Sequence, residues 1–351
     1  MANHLSGKNK KKVGLIFIGF IFALILLFFL ALIVGKYSIS IENFFKALFT
    51  TDEEFSTDRS VIVNLRLPRS LMAVLVGAGL SVSGLVYQDL FQNKLVSPDF
   101  LGVSSGASVG AAFSILMGMS GLVICLFSFT FGILTMICTL FIARAFKNKS
   151  PIILLLSGII MGGFLEACLS FIKFMADTDS QLGEITFWLL GSFQNVTIND
   201  VYIILPIFII CITVLLAIRW RINIVALGQE QAETKGLNYK FYKALLIVIV
   251  TILTSASVAF AGVIGWVALV VPHIARLLVG RNVSISLPLT IFIGAVFMLL
   301  CDIISRSFTF SEIPLSAVSG FIGTPIFIGI LIFKKGDKND ITRNWKPFLC
   351  L

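Results

Sequence analysis

About twenty apolar residues in a row, wound as a helix, cross a hydrocarbon core of about 30 Å. This chain offers such runs repeatedly: 13–35, 121–142, 151–172, 201–218, 244–261 and 287–305 are the plainest. No water reaches the backbone inside lipid, so each run must pair its own N–H and C=O groups, as an α-helix does. A membrane barrel would alternate apolar and polar residues, and these runs are continuous. The composition agrees: 58% of the 351 residues are hydrophobic, 13% are charged, and the mean hydropathy is +1.01. Soluble domains do not have this balance. The fold class is therefore predicted as all-α and polytopic.

About ten spans are predicted. The first, 13–35, follows Lys8, Lys10, Lys11 and Lys12. That basic start is like a signal peptide's, but the length of the run and the poor cleavage site after Gly35 fit a retained span. Residues 36–64 carry Asp52, Glu53, Glu54 and Asp58 and read as an external loop with a surface helix near 41–49. Spans at 67–88, 100–118, 121–142, 151–172 and 201–218 follow, with 173–199 external. As one helix, 244–280 would be about 55 Å long, too long for one crossing. It is predicted to turn at Gly262 and Gly265 into spans 244–261 and 264–279, with Pro272 bending the second. Spans 287–305 and 319–333 close the series, and 311–318 reads as a short amphipathic helix at the outer face. Residues 1–12 and 336–351 read as tails of a single transmembrane domain, 13–335.

Small residues mark packing faces, because close backbone approach is a main source of helix association in lipid. Gly77, Gly79, Ser83 and Gly84 form one such face, and Gly102, Gly106 and Gly110 another. Ten spans put both termini and residues 226–243 on one side. All but seven of the 27 Lys and Arg fall there; the exceptions are Lys36, Lys46, Arg59, Arg66, Arg69, Lys173 and Arg306. That bias marks the side as cytoplasmic and accounts for the net charge of +9 without nucleic acid. The six cysteines show no paired or ligand spacing, so neither a disulfide framework nor a metal site is expected. His273 likewise has no ligand partners and reads as structural.

Residues 226–243, ALGQEQAETKGLNYKFYK, are the most polar stretch between two spans. Burying Glu230, Glu233, Lys235, Lys240 and Lys243 at a bilayer centre would cost more than ~10 kcal/mol, so the stretch lies outside it. Its apolar residues suit short amphipathic helices, with Gly236 dividing them and Asn238 starting the second. The order Glu230, Ala232, Gly236 is similar to the signature of the cytoplasmic coupling segment in ABC importer permeases. Without its flanks, the same stretch reads equally as a solvated amphipathic loop.

The flanks are specific. LRLPRSLMAVLVGAGLSVSG (65–84), QNKLVSPDFLGVSSGASVGA (92–111), WLLGSF (188–193), ALGQEQAETKG (226–236), AFAGVIGWVALVVPHIARLLVG (259–280), CDIISR (301–306) and EIPLSAVSGFIGTPIFI (312–328) occur in order. Together they resemble the FecCD-type permeases, the ABC importer subunits for ferric siderophores, heme and cobalamin, over roughly 61–335. The resemblance implies a type II, vitamin B12 permease-like fold. It also implies a second permease (the same chain or a paralogue), ABC ATPase subunits on the inner face and an extracytoplasmic binding protein. The chain would then be a multi-pass protein of the bacterial plasma membrane with both termini cytoplasmic. It would be a transport subunit rather than an enzyme, with no cofactor of its own and ATP held by the ATPase. The sequence has no G-x-x-x-x-G-K-[ST] phosphate loop, which agrees. SPDFLGVSSGAS (97–108) is closer to ferric-siderophore members, so an iron–siderophore complex is the expected cargo and heme or cobalamin the alternative. Two other classes were weighed. An ion-coupled transporter would carry intramembrane charges or broken helices at an ion site. A membrane enzyme would carry a nucleophile–base set or HExxH, and neither is present.

On this resemblance, Leu227, Gly228, Glu230, Ala232, Gly236 and Leu237 are expected to couple to the ATPase, with Glu230 otherwise a solvated surface acid. Arg66, Arg69 and Arg306, at external helix ends, are expected to receive acids of the binding protein, since an arginine fork suits a carboxylate. Their alternative is snorkelling or internal pairing, such as Asp302 with Arg306 at i, i+4. Glu166 lies inside the fifth span, where relatives have apolar or small residues. It is expected on the translocation path or, failing that, in a hydrogen-bonded packing position.

Overall fold

The computed structural model describes residues 7–50, 52–146, 151–308 and 312–335. Among these residues, the regular structure is helical throughout. In chain order the helices are α1 (Gly7–Ile33), α2 (Ile41–Phe49), α3 (Ser56–Ser60), α4 (Leu67–Leu90), α5 (Val103–Leu116), α6 (Leu122–Ala145), α7 (Pro151–Met175) and α8 (Gln181–Leu190). They continue as α9 (Ile198–Ala217), α10 (Arg219–Val225), α11 (Gln229–Thr234), α12 (Tyr239–Ala261), α13 (Val267–Val279), α14 (Val283–Ser307) and α15 (Leu315–Lys335). Eight helical stretches are long and apolar enough to cross a membrane, and α5 and α13 are shorter apolar helices. The predicted spans at 100–118 and 264–279 correspond to these two shorter helices.

Local chemistry sets the ends. Thr197 and Asp200 form a reciprocal capping box at the start of α9. Asn238 caps α12 by accepting from the Phe241 N–H at 3.1 Å. Pro68 sits in the first turn of α4, where its missing N–H costs nothing.

α4 is the axis of the bundle. Its apolar window is 83% buried, against 6% for α1 on the rim. It packs on α14, α12, α13 and α9, while α5 lies between α6 and α7. The small-residue faces make these approaches. A Cβ on Gly77 would sit 2.2 Å from the Gly294 carbonyl, and one on Gly294 would sit 2.3 Å from that of Gly77. Gly106 and Gly110 lie equally close to Thr135 and Phe127 of α6, so the glycine stripe of α5 is a packing face. Ser81 adds a hydrogen bond to the Thr290 carbonyl at 3.1 Å.

The long stretch after 238 turns as predicted. Gly262 has φ +68° and ends α12. The non-helical residues 262–266 then lead into α13, which at about 20 Å is too short to cross alone. Irregular backbone at this depth must be covered by protein. The adjoining Gly191 turn supplies partners: Ser192 N–H donates to Ala261 and Leu315 N–H to the Gly191 carbonyl, both at 3.0 Å. Trp266 closes the turn with φ +69°, rare for a bulky residue, and packs against Gly320 and Gly323 of α15.

Three boundaries differ from prediction. Helical structure begins at Glu53 and runs with few breaks to Leu90, so the external loop before the second span is shorter than 36–64. Residues 311–318 do not form a separate amphipathic helix. Ser311 lies outside the described residues, and α15 starts at Leu315 and continues unbroken to Lys335. The Ser305–Ile313 hydrogen bonds hold the lead-in, and Pro314 accepts the first helical bonds. α1 begins at Gly7, within the stretch read as a tail. The remaining residues of both tails fall outside the description.

Candidate functional site

The 226–237 segment is a short plate rather than a loop. Gly228 turns the chain with φ +95°, and Gly236, at φ +74°, ends α11 as the Leu237 N–H returns to the Ala232 carbonyl at 3.0 Å. Asn223 of α10 anchors the plate to α14: it accepts from Val283 N–H at 2.8 Å and donates to Asn282 and Ser284 at 3.1 Å. Leu227, Glu230 and Gly236 face outward; Gly228 is half-buried. Ala232 and Leu237, also expected to couple to the ATPase, are buried in this chain's own core with Ile222, Val225 and Tyr239 and seat the plate on it. The helix after Asn238 is not a separate coupling helix either, since it runs directly into the membrane as α12.

Beside the plate, Gln92 donates to the Ala226 carbonyl at 3.2 Å. Arg276 of α13 was counted among the cytoplasmic charges, yet it is buried. It donates to Gln88, to the Leu85 carbonyl at 3.3 Å and to Asp89 at 3.0 Å. His273 stands one turn earlier with Nε2 at 2.8 Å from the Lys94 carbonyl. A carbonyl only accepts, so Nε2 carries the proton. Asn223, Gln88 and Gln92 were not read from the sequence; a polar residue at a span end is the only signal they give.

The opposite end of the bundle holds a second charged cluster. Arg69 pairs with Asp302 at 2.5 Å and Glu312 at 2.6 Å, and Arg306 lies 3.4 Å from the other Asp302 oxygen. Arg306 also donates to the Ala31 carbonyl. Arg66 caps the C-terminus of α1 through Leu32 at 2.9 Å, Ile33 at 2.6 Å and Tyr37, where a cation also meets the negative end of the helix dipole. All three arginines, expected to receive acids of a binding protein or else to pair internally, are buried and bonded within the chain, while Arg69 Nη2 and Arg306 Nε make no hydrogen bond. A buried guanidinium needs acceptors, and α1, Asp302 and Glu312 supply them. Just outside the span, Asp58 accepts from the Tyr37 phenol at 2.8 Å and holds its pKa above the ordinary value.

Glu166 lies midway along α7 and is exposed, with Gly163, Ala167 and Ser170 exposed on the same side. It is therefore not packed in the interior of its own bundle. Among the described residues no group of three or more His, Cys, Asp or Glu could hold a metal ion.

Among the described residues, the structure is a helical bundle with eight helices of membrane-crossing length and an anchored polar plate at one end, the architecture of a polytopic membrane protein. The model of the FecCD transport family matches residues 23–333, and the chain belongs to that family. It is 35% identical over 332 residues to the molybdate import permease MolB of Haemophilus influenzae, covering 93% of this chain and 98% of the relative. It is also 35% identical over 321 residues to a probable iron chelatin transport permease of Helicobacter pylori, covering 90% and 97%. A solved ABC transporter of the metal-chelate type, in an inward-facing conformation, superposes with a TM-score of 0.82 at 34% identity and covers 92% of this chain and 99% of its own. The chain is thus the permease of an ABC importer and not an enzyme. Family membership implies an ATPase, a second permease and a substrate-binding partner, and it sets aside the ion-coupled alternative.

Proposed function

We propose that this permease carries iron complexes, ferric siderophores first among them, across the bacterial plasma membrane into the cytoplasm. The observation that carries the coupling half of this reading is the anchored 226–237 plate. Its inner residues are fixed to the bundle, and it presents Leu227 and Glu230 outward to the ATPase, which binds the ATP. The chelate half is supported by the SPDFLGVSSGAS string and by relatives whose names specify iron chelatin and metal chelates. Both termini and the plate are cytoplasmic in this reading, and the binding protein docks on the opposite face. A carboxylate of that protein would have to exchange with Asp302 or Glu312 before Arg69 or Arg306 could reach it.

The relative named for molybdate import favours a second reading, an oxyanion cargo. Glu166 weighs against it. A carboxylate facing lipid at mid-span is costly, so Glu166 faces water or protein. On the translocation path it would repel a small dianion more than a large, partly shielded chelate.

Uptake by a deletion strain, with and without this gene, tests both readings. Labelled ferrichrome, heme, cobalamin and molybdate are offered separately. Gene-dependent entry of ferrichrome, with a changed ranking of cargoes in Glu166→Gln, is the expected outcome. Entry of molybdate alone would overturn the iron reading. Unchanged transport and preference in Glu166→Gln would remove that residue from the path.

A further inference from the structure

The loop 91–97 is held from two directions. On one side lies the plate: Gln92 bonds the Ala226 carbonyl at 3.2 Å, and a Cβ on Gly228 would come within 2.8 Å of the Gln92 amide nitrogen. On the other side lies α13, where His273 holds the Lys94 carbonyl at 2.8 Å. Arg276 grips Gln88 and Asp89 in the last turn of α4, just before the loop. Gln92 itself adopts φ +52°, and its side chain is exposed. That conformation closes α4 in a local cap: the Gln92 N–H returns to the Asp89 carbonyl at 3.3 Å and the Asn93 N–H to that of Gln88 at 3.1 Å. From this cap the Gln92 side chain reaches the plate.

We infer that Gln92 is the positioning residue through which movement of the 226–237 plate is transmitted to the 91–97 loop, and from there to α4 and α13. This rests on the reading of 226–237 as the ATPase-coupling segment. The contact works in both directions. Withdrawal of the plate pulls on the Gln92–Ala226 hydrogen bond, and its advance drives Gly228 against the Gln92 amide. The His273–Lys94 hydrogen bond ties the loop to α13, and Arg276, buried with Asp89 as its carboxylate partner, ties the last turn of α4 to the same helix. Coupling between distant sites travels through such contiguous contacts between rigid elements. A hydrogen bond that merely satisfied Ala226 would transmit nothing.

The test uses the complete complex with its own ATPase and binding protein, reconstituted in proteoliposomes with the compound that enters in the uptake panel. Gln92→Glu keeps the size of the side chain but cannot donate to a carbonyl; Gln92→Ala removes the contact. Both variants are expected to assemble and hydrolyse ATP at the wild-type rate. Molecules imported per ATP should fall about fivefold, the equivalent of one hydrogen bond. Hydrogen exchange of a peptide spanning 91–97 should respond to added ATP in the wild type and not in either variant. An unchanged import ratio with an unchanged exchange response would overturn the inference. So would a loss of assembly that leaves the ratio per assembled complex intact. If the wild type imports nothing with ATP, the coupling reading fails first, and the exchange response alone then decides whether Gln92 links the plate to the loop.

Discussion

Asp302 is fully buried between two cations, Arg69 at 2.5 Å and Arg306 at 3.4 Å. Breaking one member of such a cluster leaves charge uncompensated in a low-dielectric interior, which costs about 3–5 kcal/mol. Asp302→Asn is therefore expected to lower the melting temperature of the detergent-purified protein sharply. Glu42→Gln, which removes an exposed i, i+4 pair with Lys46, should leave it unchanged. Equal melting in the two variants would mean that the cluster does not hold α1, α4 and α14 together. The arginines of this cluster were legible in the sequence, and so was the Asp302–Arg306 spacing. The partners of Arg69 were not, because they lie 233 and 243 positions away and charge alone carries no address. Ala232 and Leu237 show a related limit. Periodicity identifies residues that share a face, but not whether that face meets its own bundle or another subunit.

At the scale of helices, close packing carries what hydrophobicity cannot, since lipid is as apolar as leucine. The α4–α14 crossing depends on Gly77 and Gly294, each lying under the other's carbonyl. Gly77→Val should cost at least the 1–3 kcal/mol typical of about one or two methyl groups forced into a packed core. A fall in the monodisperse fraction after heating would report it. Gly14→Val, on α1 where nothing lies within 4 Å of a Cβ, should behave as wild type. If both variants tolerate heating alike, the crossing is looser than its geometry. Most spans were legible from continuous apolar runs bounded by charge and by Gly or Pro. The helical lead-in to α4 and the unbroken start of α15 were not. Both carry polar groups met by tertiary partners: Arg66 on the end of α1, and the Ile313 backbone on Ser305 of α14. A hydropathy pattern registers the polarity and misses the partner.

In the whole molecule, two polar ends are joined by one bundle. The 226–237 plate is fixed through Asn223 and Gln92, and the opposite end is closed by a buried charge cluster. α7 leaves a face with Glu166 uncovered by its own chain, as a subunit that works beside a second permease requires. Uptake into proteoliposomes containing the complete complex, with ATP supplied on the side of the plate and all ion gradients collapsed by ionophores, tests the central claim most directly. ATP-driven import predicts that uptake requires ATP and survives the ionophores. It also predicts that Glu230→Arg, a charge reversal on the exposed face of the plate, abolishes uptake while the permease remains folded. Uptake that follows an ion gradient, needs no ATP and is indifferent to Glu230→Arg would contradict it.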